Sequence, residues 1–228
     1  MGREGLLFAA YALGGYLLGG IFFSSILAKV ICGVDIEACS RDGNPGTANA
    51  MQYAGVGTGF LCLACDLAKG FVPVFLGAHQ LPVAQLAFGF VLAAPVAGHA
   101  FSAYRRLHGG KAIAVSFGVL LGLLPAHGLV WILAGVYIFF SIIIRLNPHE
   151  RRTVWTFFFY FLFALVLYWR GNLPLSLLLG SGFIVAMVIY RNLDYRRQSA
   201  LDRRASRKRV GLLGSAVKEG ESPSFFDA

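Results

Sequence analysis

A short polar segment separates two strongly apolar stretches and carries His99 and the run Gly109, Gly110 and Lys111. Two adjacent glycines allow backbone N–H groups to approach a ligand closely, and the lysine ammonium adds a point charge. Lipid tolerates irregular backbone only where it is buried in protein or lines a wet cavity. We therefore interpret the run as an anion site, for phosphate, at a membrane surface. His99 is placed to orient or deprotonate an acceptor hydroxyl.

A second polar segment, residues 34–55, is rich in turn formers and side-chain amides. The polar and glycine residues at its centre that we assign to the site are Asp42, Asn44, Gly46, Thr47 and Asn49. Each asparagine amide donates two hydrogen bonds and the threonine hydroxyl donates one. Turn chemistry alone would explain an ordinary connecting loop. Its expected location on the same side as Lys111 favours a shared binding site.

Further polar side chains lie within or beside the apolar stretches. Asp66 and Lys69 are three residues apart, so they share one helix face and can pair. Charges within a membrane span suggest a functional site, but we favour a structural ion pair that orients the helix. The Ser141 hydroxyl is expected to bond back to its own helix, or else to face the cavity. Arg41 and Arg191 are cations that could balance a carboxylate in the site.

Several other kinds of site are excluded or not favoured. The glycine–lysine run is not a Walker A loop, because Ala112 follows the lysine where that loop needs Ser or Thr. No Gly-x-Ser-x-Gly elbow occurs in the sequence. A zinc site at the Cys62-x-x-Cys65 pair would require Cys32 and Cys39 to converge on it, and buried thiols are the simpler interpretation. We expect no metal and no cofactor.

The composition is that of an integral membrane protein. Of 228 residues, 57% are hydrophobic and 14% charged, whereas soluble domains carry about 25% charged residues. A hydrocarbon core about 30 Å thick needs about 20 apolar residues per helix. We predict an all-α fold with seven spans at residues 6–28, 57–78, 81–103, 112–124, 128–144, 154–169 and 173–190. The fourth is short for a full span, so we expect a short or broken helix beneath the glycine loop.

The placement of positive charge predicts the orientation in the membrane. The net charge is +9, and nine of the 20 Lys and Arg residues lie between Arg191 and Lys218. The positive-inside rule places this end in the cytoplasm, and seven spans then put the N-terminus outside. We divide the chain into a membrane domain, residues 1–195, and a largely disordered basic cytoplasmic tail, residues 196–228. A basic tail without interleaved aromatic residues gives no reason to expect nucleic-acid binding.

Four motifs, taken in order, resemble those of the bacterial acyl-phosphate:glycerol-3-phosphate acyltransferases, the PlsY-type family. The family's first motif, approximately Ser-Gly-Asn-Ile-Gly-Ala-Thr-Asn, is similar to residues 42–49. Its Asp-x-x-Lys-Gly, Gly-His-x-Phe and Gly-Gly-Lys-Gly-Val-Ala-Thr motifs are similar to residues 66–70, 98–101 and 109–115. The resemblance covers about residues 10–195.

The resemblance implies a seven-span protein of the inner cell membrane with its site facing the cytoplasm. It implies transfer of a fatty acyl group from acyl phosphate to the sn-1 hydroxyl of glycerol 3-phosphate, in phospholipid synthesis and without a cofactor. The expected partners are these substrates, membrane lipid and an enzyme that produces acyl phosphate. The residues it assigns to catalysis are His99, Asn44 and Asp42. The residues it assigns to substrate binding are Gly109, Gly110, Lys111, Asn49, Gly46, Thr47, Ser141 and Arg191.

The sequence also departs from the family pattern. Asp42 stands where the family has serine, Gln52 where it has arginine and Ala112 where it has glycine, and residues 191–195 replace the final motif. A carboxylate 4 Å from a phosphate charge, at an effective dielectric constant of about 20, costs about 4 kcal/mol per unit charge. Three hypotheses therefore stay open. They are an active acyltransferase with an altered pocket, a catalytically degenerate member that binds lipid or a partner, and a small-solute transporter.

Overall fold

The computed structural model describes the backbone of residues 2–40 and 42–218 and the side chains of residues 2–40 and 42–197. Arg41 and the end of the tail, residues 219–228, lie outside the described residues. Within the described part, helices are the regular elements. They are α1 Arg3–Gly19, α2 Phe23–Cys32, α3 Ile36–Cys39, α4 Thr47–Tyr53, α5 Val56–Gln80, α6 Phe88–Ala100, α7 Ile113–Leu121, α8 Leu129–Ile138, α9 His149–Trp169 and α10 Leu175–Lys218.

Four segments of the described chain are long and apolar enough to cross a membrane. They are Arg3–Cys32, which joins α1 and α2, and Val56–Gln80, His149–Trp169 and Leu175–Arg197. A shorter apolar helix, Leu129–Ile143, combines α8 with the π-helical turn that follows it. The expected shortness of the fourth predicted span is confirmed, since α7 has only 9 residues. The third is also shorter than predicted, because α6 has 13 residues.

The first predicted span, residues 6–28, is not one continuous helix. It breaks between α1 and α2 at residues 20–22. The carbonyl of Gly20 accepts a hydrogen bond of 2.9 Å from the Ser102 hydroxyl, and the carbonyl of Ile21 accepts one of 2.7 Å from the Lys69 ammonium. Unpaired carbonyls are costly in an apolar interior, so these two side chains stabilise the break. Neither partner is close in sequence, which is why the break was missed.

The last helix is longer than predicted. The sequence predicts a last span that ends at residue 190, followed by a tail without regular structure from residue 196. Instead, α10 continues to Lys218. This stretch contains many Arg, Leu, Lys and Ala residues, which are good helix formers and do not interrupt the preceding helix.

Helix α6 is the buried centre of the bundle and packs against α1, α5, α7 and α10. It lies very close to α1, and both helices carry a glycine where they cross. A methyl group on Gly98 would overlap the Tyr16 carbonyl, and one on Gly19 would overlap the Pro95 carbonyl. Small residues at such crossings let membrane helices approach closely enough to gain packing energy.

Polar contacts mark two opposite ends of α6. Near its start, Gln85 donates a 2.9 Å hydrogen bond to Glu4, and Ser176 donates to the Val83 carbonyl. Near its end, the carbonyl of His99 accepts a 2.9 Å hydrogen bond from the backbone N–H of Gly110. The glycine–lysine run therefore lies at the end of the bundle remote from the start of α1.

The crossing of α1 and α6 gives a first prediction. Gly19→Ala forces the two helices apart and lowers the free energy of unfolding by about 1–3 kcal/mol. The midpoint of thermal unfolding in detergent should fall by about 2–4 °C for each kcal/mol. Gly14→Ala is the matched control, because Gly14 lies on the same helix with nothing within 4 Å of an added methyl. Equal midpoints for both variants would contradict the close crossing.

Candidate functional site

The polar connections predicted to share one side of the membrane do meet. The Lys111 ammonium lies 2.8 Å from a carboxylate oxygen of Asp42 and 3.4 Å from one of Glu150, at the start of α9. The carbonyl of Gly109 accepts a 2.7 Å hydrogen bond from the Tyr195 hydroxyl and another from the Arg191 guanidinium. The glycine loop is thus joined to the asparagine turn, to α9 and to α10.

Asp42 also organises the asparagine turn. Its Oδ1 accepts hydrogen bonds from the backbone N–H of Asn44 at 3.2 Å and from the side-chain amide of Asn49 at 2.9 Å. The same Asn49 amide donates to the Asn44 carbonyl at 2.8 Å. Gly46 leaves room for the Asn44 side chain, which a methyl group would overlap. The buried Oδ1 of Asn44 has no hydrogen-bond partner among the described residues.

The structure corrects the role that the sequence predicts for Asp42. The sequence placed Asp42 among the catalytic residues, as a charge that repels phosphate, and named Arg41 or Arg191 as the cation that could balance it. In the structure the balancing cation is Lys111, and two amide groups donate to the same carboxylate. Burial raises the pKa of Asp42, but the hydrogen bond and charge of Lys111, with the bonds from Asn49 and Asn44, outweigh burial. The net effect lowers the pKa of Asp42 below 3.8.

A buried polar chain runs beneath the asparagine turn towards His99. The Oδ2 atom of Asp66 accepts hydrogen bonds from Ser24 at 3.2 Å and Thr47 at 3.1 Å. Its Oδ1 pairs with the Lys69 ammonium at 2.9 Å. The ammonium also lies 2.9 Å from Nδ1 of His99. Asp66 and Lys69 are each 2% exposed and His99 is 4% exposed.

This chain is the main part of the site that the sequence missed. The ion pair between Asp66 and Lys69 was predicted and is confirmed. A structural role in orienting the helix was favoured over a functional one, yet the pair links Thr47 of the asparagine turn to His99. Two ionisable side chains inside an apolar helix were the available signal, because such residues mark functional sites by default.

The imidazole of His99 faces the glycine loop. Its Nε2 lies against Gly110, where an added methyl group would overlap it. The Phe22 ring, at the break between α1 and α2, lies 4.8 Å from the imidazole. The backbone N–H of Gly110 bonds to the His99 carbonyl, so loop and imidazole are held together as one unit.

Ser141 lies apart from these groups. Its hydroxyl donates a 2.6 Å hydrogen bond to the Tyr137 carbonyl one turn earlier, which is the first of the two alternatives considered from the sequence, whereas the resemblance assigned it to substrate binding. No hydrogen bond between described residues joins its hydroxyl to the glycine loop. The thiols do not gather either: Cys32 and Cys39 are exposed while Cys62 is buried, and the described residues contain no cluster of three metal-ligating side chains.

Four cations in the described part of the site are each paired with a carboxylate of the protein. The pairs are Lys69 with Asp66, Arg105 with Glu37, Lys111 with Asp42 and Glu150, and Arg191 with Asp194. An anionic ligand at Lys111 therefore competes with two carboxylates. Uncharged donors are also partly engaged, because the Gly110 N–H bonds to the His99 carbonyl and the Asn49 amide bonds to Asp42 and Asn44. No hydrogen bond between described residues uses the side-chain amide of Asn44, which can therefore donate to a ligand.

A model of the glycerol-3-phosphate acyltransferase family matches residues 9–201. A glycerol-3-phosphate acyltransferase of Azotobacter vinelandii is 39% identical over 125 residues, which cover 54% of this chain and 65% of the relative. One from a Hydrogenobaculum species is 30% identical over 180 residues, covering 79% of this chain and 87% of the relative. The matched part is thus just under two thirds of the Azotobacter protein and most of the Hydrogenobaculum protein.

Solved structures give the same result for the fold. The chain is similar to the crystal structure of PlsY, an integral membrane glycerol 3-phosphate acyltransferase, in its glycerol 3-phosphate form. The TM-score is 0.72 with 26% identity, covering 86% of this chain and 93% of that chain. The lysophosphatidic acid form of PlsY gives a TM-score of 0.71 with the same identity. The bundle is therefore a multi-pass membrane fold.

The contact between Asp42 and Lys111 gives a prediction about pH. Because the pKa of Asp42 is lowered in the folded protein, its carboxylate stabilises the fold at neutral pH, and this contribution is lost as the pH falls below 3.8. We expect Asp42→Asn to reduce the free energy of unfolding by about 1 kcal/mol at pH 7. The difference should vanish in strong acid.

Thermal unfolding of the wild type and Asp42→Asn, measured from pH 7 downwards, tests this dependence. A double-mutant cycle with Lys111→Met assigns the effect to the ion pair, because the aspartate substitution should then cost little. A stability difference between the wild type and Asp42→Asn that is unchanged at the lowest pH would refute the assignment to the ion pair.

Proposed function

The chain belongs to the glycerol-3-phosphate acyltransferase family, and we propose that it transfers a fatty acyl group from acyl phosphate to the sn-1 hydroxyl of glycerol 3-phosphate. It is a membrane acyltransferase of phospholipid synthesis. The observation that carries the proposal is the contact of the glycine loop with the asparagine turn through Lys111 and Asp42 at 2.8 Å. Hydrogen-bond donors suited to phosphate oxygens then lie in the same region of the protein as the buried His99.

The reaction needs no covalent enzyme intermediate, because acyl phosphate is already activated. The acceptor hydroxyl oxygen forms a bond to the acyl carbonyl carbon, and the bond from that carbon to the phosphate oxygen breaks. The bonding pair leaves with phosphate, and the hydroxyl proton leaves with it as hydrogen phosphate. Positioning and stabilisation of charge can supply most of the rate for such a step.

Roles follow from the positions of the side chains. Gly109, Gly110 and Lys111 bind phosphate, and the amides of Asn44 and Asn49 position it. His99 lies beside Gly110, close to the reacting groups. The hydrogen bond from the Arg191 guanidinium to the Gly109 carbonyl supports a role for this arginine in shaping the loop. Ser141 is given no role, since its hydroxyl bonds to its own helix.

The proposed topology has seven crossings, with the N-terminus outside and the site facing the cytoplasm across the inner membrane. Two observations support it. The site lies at the opposite end of α6 from the Glu4–Gln85 contact, and most Lys and Arg residues outside the spans belong to the site end or to the basic tail. A cytoplasmic site would receive acyl phosphate from an enzyme that produces it.

Release of inorganic phosphate from palmitoyl phosphate tests the function. The purified protein in detergent should release phosphate when glycerol 3-phosphate is added, and Lys111→Ala should lower kcat/KM by about 10²- to 10³-fold. Lys29→Ala is the control, because Lys29 is an exposed cation near the end of α2. If a family relative is active in the same detergent and this protein is not, a degenerate lipid- or partner-binding role replaces the proposal.

A second variant tests the effect of the carboxylates on the acceptor. Asp42→Ser removes one negative charge beside Lys111 while leaving a hydroxyl that can accept from Asn49. We expect the KM for glycerol 3-phosphate to fall about three- to tenfold, or about 0.7–1.4 kcal/mol. Glu150→Gln should change KM in the same direction by less, since Glu150 lies 3.4 Å from the ammonium. An unchanged KM in Asp42→Ser would refute charge repulsion by this residue.

A further inference from the structure

The ammonium of Lys69 is surrounded by three acceptor atoms that belong to three different segments. They are the Ile21 carbonyl at 2.7 Å, Oδ1 of Asp66 at 2.9 Å and Nδ1 of His99 at 2.9 Å. An ammonium has three N–H groups and no acceptor. The ammonium donates to the Ile21 carbonyl, lies within hydrogen-bond distance of Nδ1 of His99 and forms an ion pair with Asp66. As a donor only, it requires Nδ1 of His99 to be the ring nitrogen without a proton.

This arrangement fixes the chemistry of the imidazole. In a neutral imidazole, one nitrogen accepts and the other carries the hydrogen. We propose that Lys69 is a positioning residue that holds His99 as the Nε2–H tautomer, so that His99 donates a hydrogen bond to the bound substrate instead of removing its proton. The sequence had left open whether His99 orients or deprotonates the acceptor hydroxyl. The contact to Lys69 favours a donor.

The charge on Lys69 is required by its surroundings. Asp66 is 2% exposed and accepts hydrogen bonds from Ser24 and Thr47, which are the contacts of an ionised carboxylate. A neutral amine at Lys69 would leave this buried carboxylate without a counter-ion, which is strongly unfavourable. The cationic form of Lys69, with Nδ1 of His99 as acceptor, satisfies both groups.

A doubly protonated imidazole does not fit this site. It would place an Nδ1–H against the Lys69 ammonium, 2.9 Å away. Arg105 and Arg191 also act on the imidazole electrostatically, and both are positive. The acidic groups nearest these cations, Glu37 and Asp194, are already engaged with the two arginines.

The Nε2 atom is where a ligand would be recognised. His99 is 4% exposed, and its Nε2 has no hydrogen-bond partner among the described residues. It faces Gly110, in the loop assigned to phosphate. An oxygen of the ligand that reaches this point can accept a hydrogen bond from Nε2–H, a donor that no described residue uses.

The consequence for catalysis rests on the proposed acyl transfer. The carbonyl oxygen of the acyl group gains negative charge as the acceptor hydroxyl attacks. This is the substrate oxygen that we expect to accept a hydrogen bond from Nε2–H of His99. A fixed donor in a water-poor site stabilises that charge. The proton of the hydroxyl departs with phosphate, as the balanced reaction requires, and His99 keeps its own proton throughout.

The tautomer can be read without any activity measurement. Protein with ¹⁵N-labelled histidine in detergent gives separate ring-nitrogen signals for bare and protonated nitrogens, and His99→Gln identifies the signals of His99. We expect one unprotonated ring nitrogen and one protonated ring nitrogen. The protonated nitrogen should couple to both carbon-bound protons of the ring, which identifies it as Nε2. A proton on Nδ1, or on both nitrogens, at neutral pH would overturn the proposal.

Three variants then test the dependence on Lys69. Lys69→Met removes the donor to Nδ1, so His99 should become a mixture of its two neutral tautomers. The same variant should lower kcat about ten- to hundredfold with a smaller change in KM. Lys69→Arg keeps a cationic donor and should restore most of kcat and the Nε2–H signal. Lys29→Met is the control, on an exposed position of α2.

The outcomes separate this inference from the proposed function. Should Lys69→Met fail to fold, the wild-type and Lys69→Arg spectra still decide the tautomer. Equal loss of kcat in Lys69→Met and Lys69→Arg, or an unchanged tautomer in Lys69→Met, would refute the positioning role. An Nε2–H signal in a wild-type protein that releases no phosphate would leave the tautomer intact and refute the acyl transfer instead.

Discussion

The buried ammonium of Lys69 is the contact on which the rest of the site depends. It lies on α5 and joins the broken end of α1, the carboxylate of Asp66 and the imidazole on α6. An ammonium in an apolar bundle is tolerated only with acceptors on every hydrogen. Removing any one of the three acceptors leaves a buried charge incompletely satisfied, so the helix break, the ion pair and the histidine are mutually dependent.

A second constraint acts on the same site, where Lys111, Arg105 and Arg191 already have carboxylate partners. A loop made only of free cations would bind many anions indiscriminately. Here Asp42 and Glu150 occupy Lys111, so a phosphorylated ligand must exchange one anionic partner for another. Binding then depends on the geometry of the donors as well as on charge, since the Gly110 N–H and the Asn49 amide also have partners within the protein. This arrangement accommodates a carboxylate at Asp42 where the family has serine.

Much of this could be predicted from the sequence, for identifiable reasons. Runs of apolar residues predicted the long helices α5 and α9, because length and hydropathy alone decide whether a segment can lie in lipid. Glycine and amide patterns predicted the asparagine turn and the glycine loop, because only certain residues favour such backbone. The spacing of Asp66 and Lys69 predicted their pairing. Hydropathy could not predict the break at residues 20–22, since its stabilising partners are 48 and 82 residues away.

The sequence by itself determined an all-helical membrane protein, the residue types of an anion site, and the family, since these depend on composition, local spacing and the order of motifs. Only the tertiary structure decided which groups share hydrogen bonds. It left Ser141 bonded within its own helix, gave Asp42 a stabilising partner in Lys111, and placed the Lys69 ammonium 2.9 Å from Nδ1 of His99. The physical reason is that hydrogen bonds and ion pairs act over about 3 Å, whereas these partners lie far apart in sequence and meet only when the helices pack.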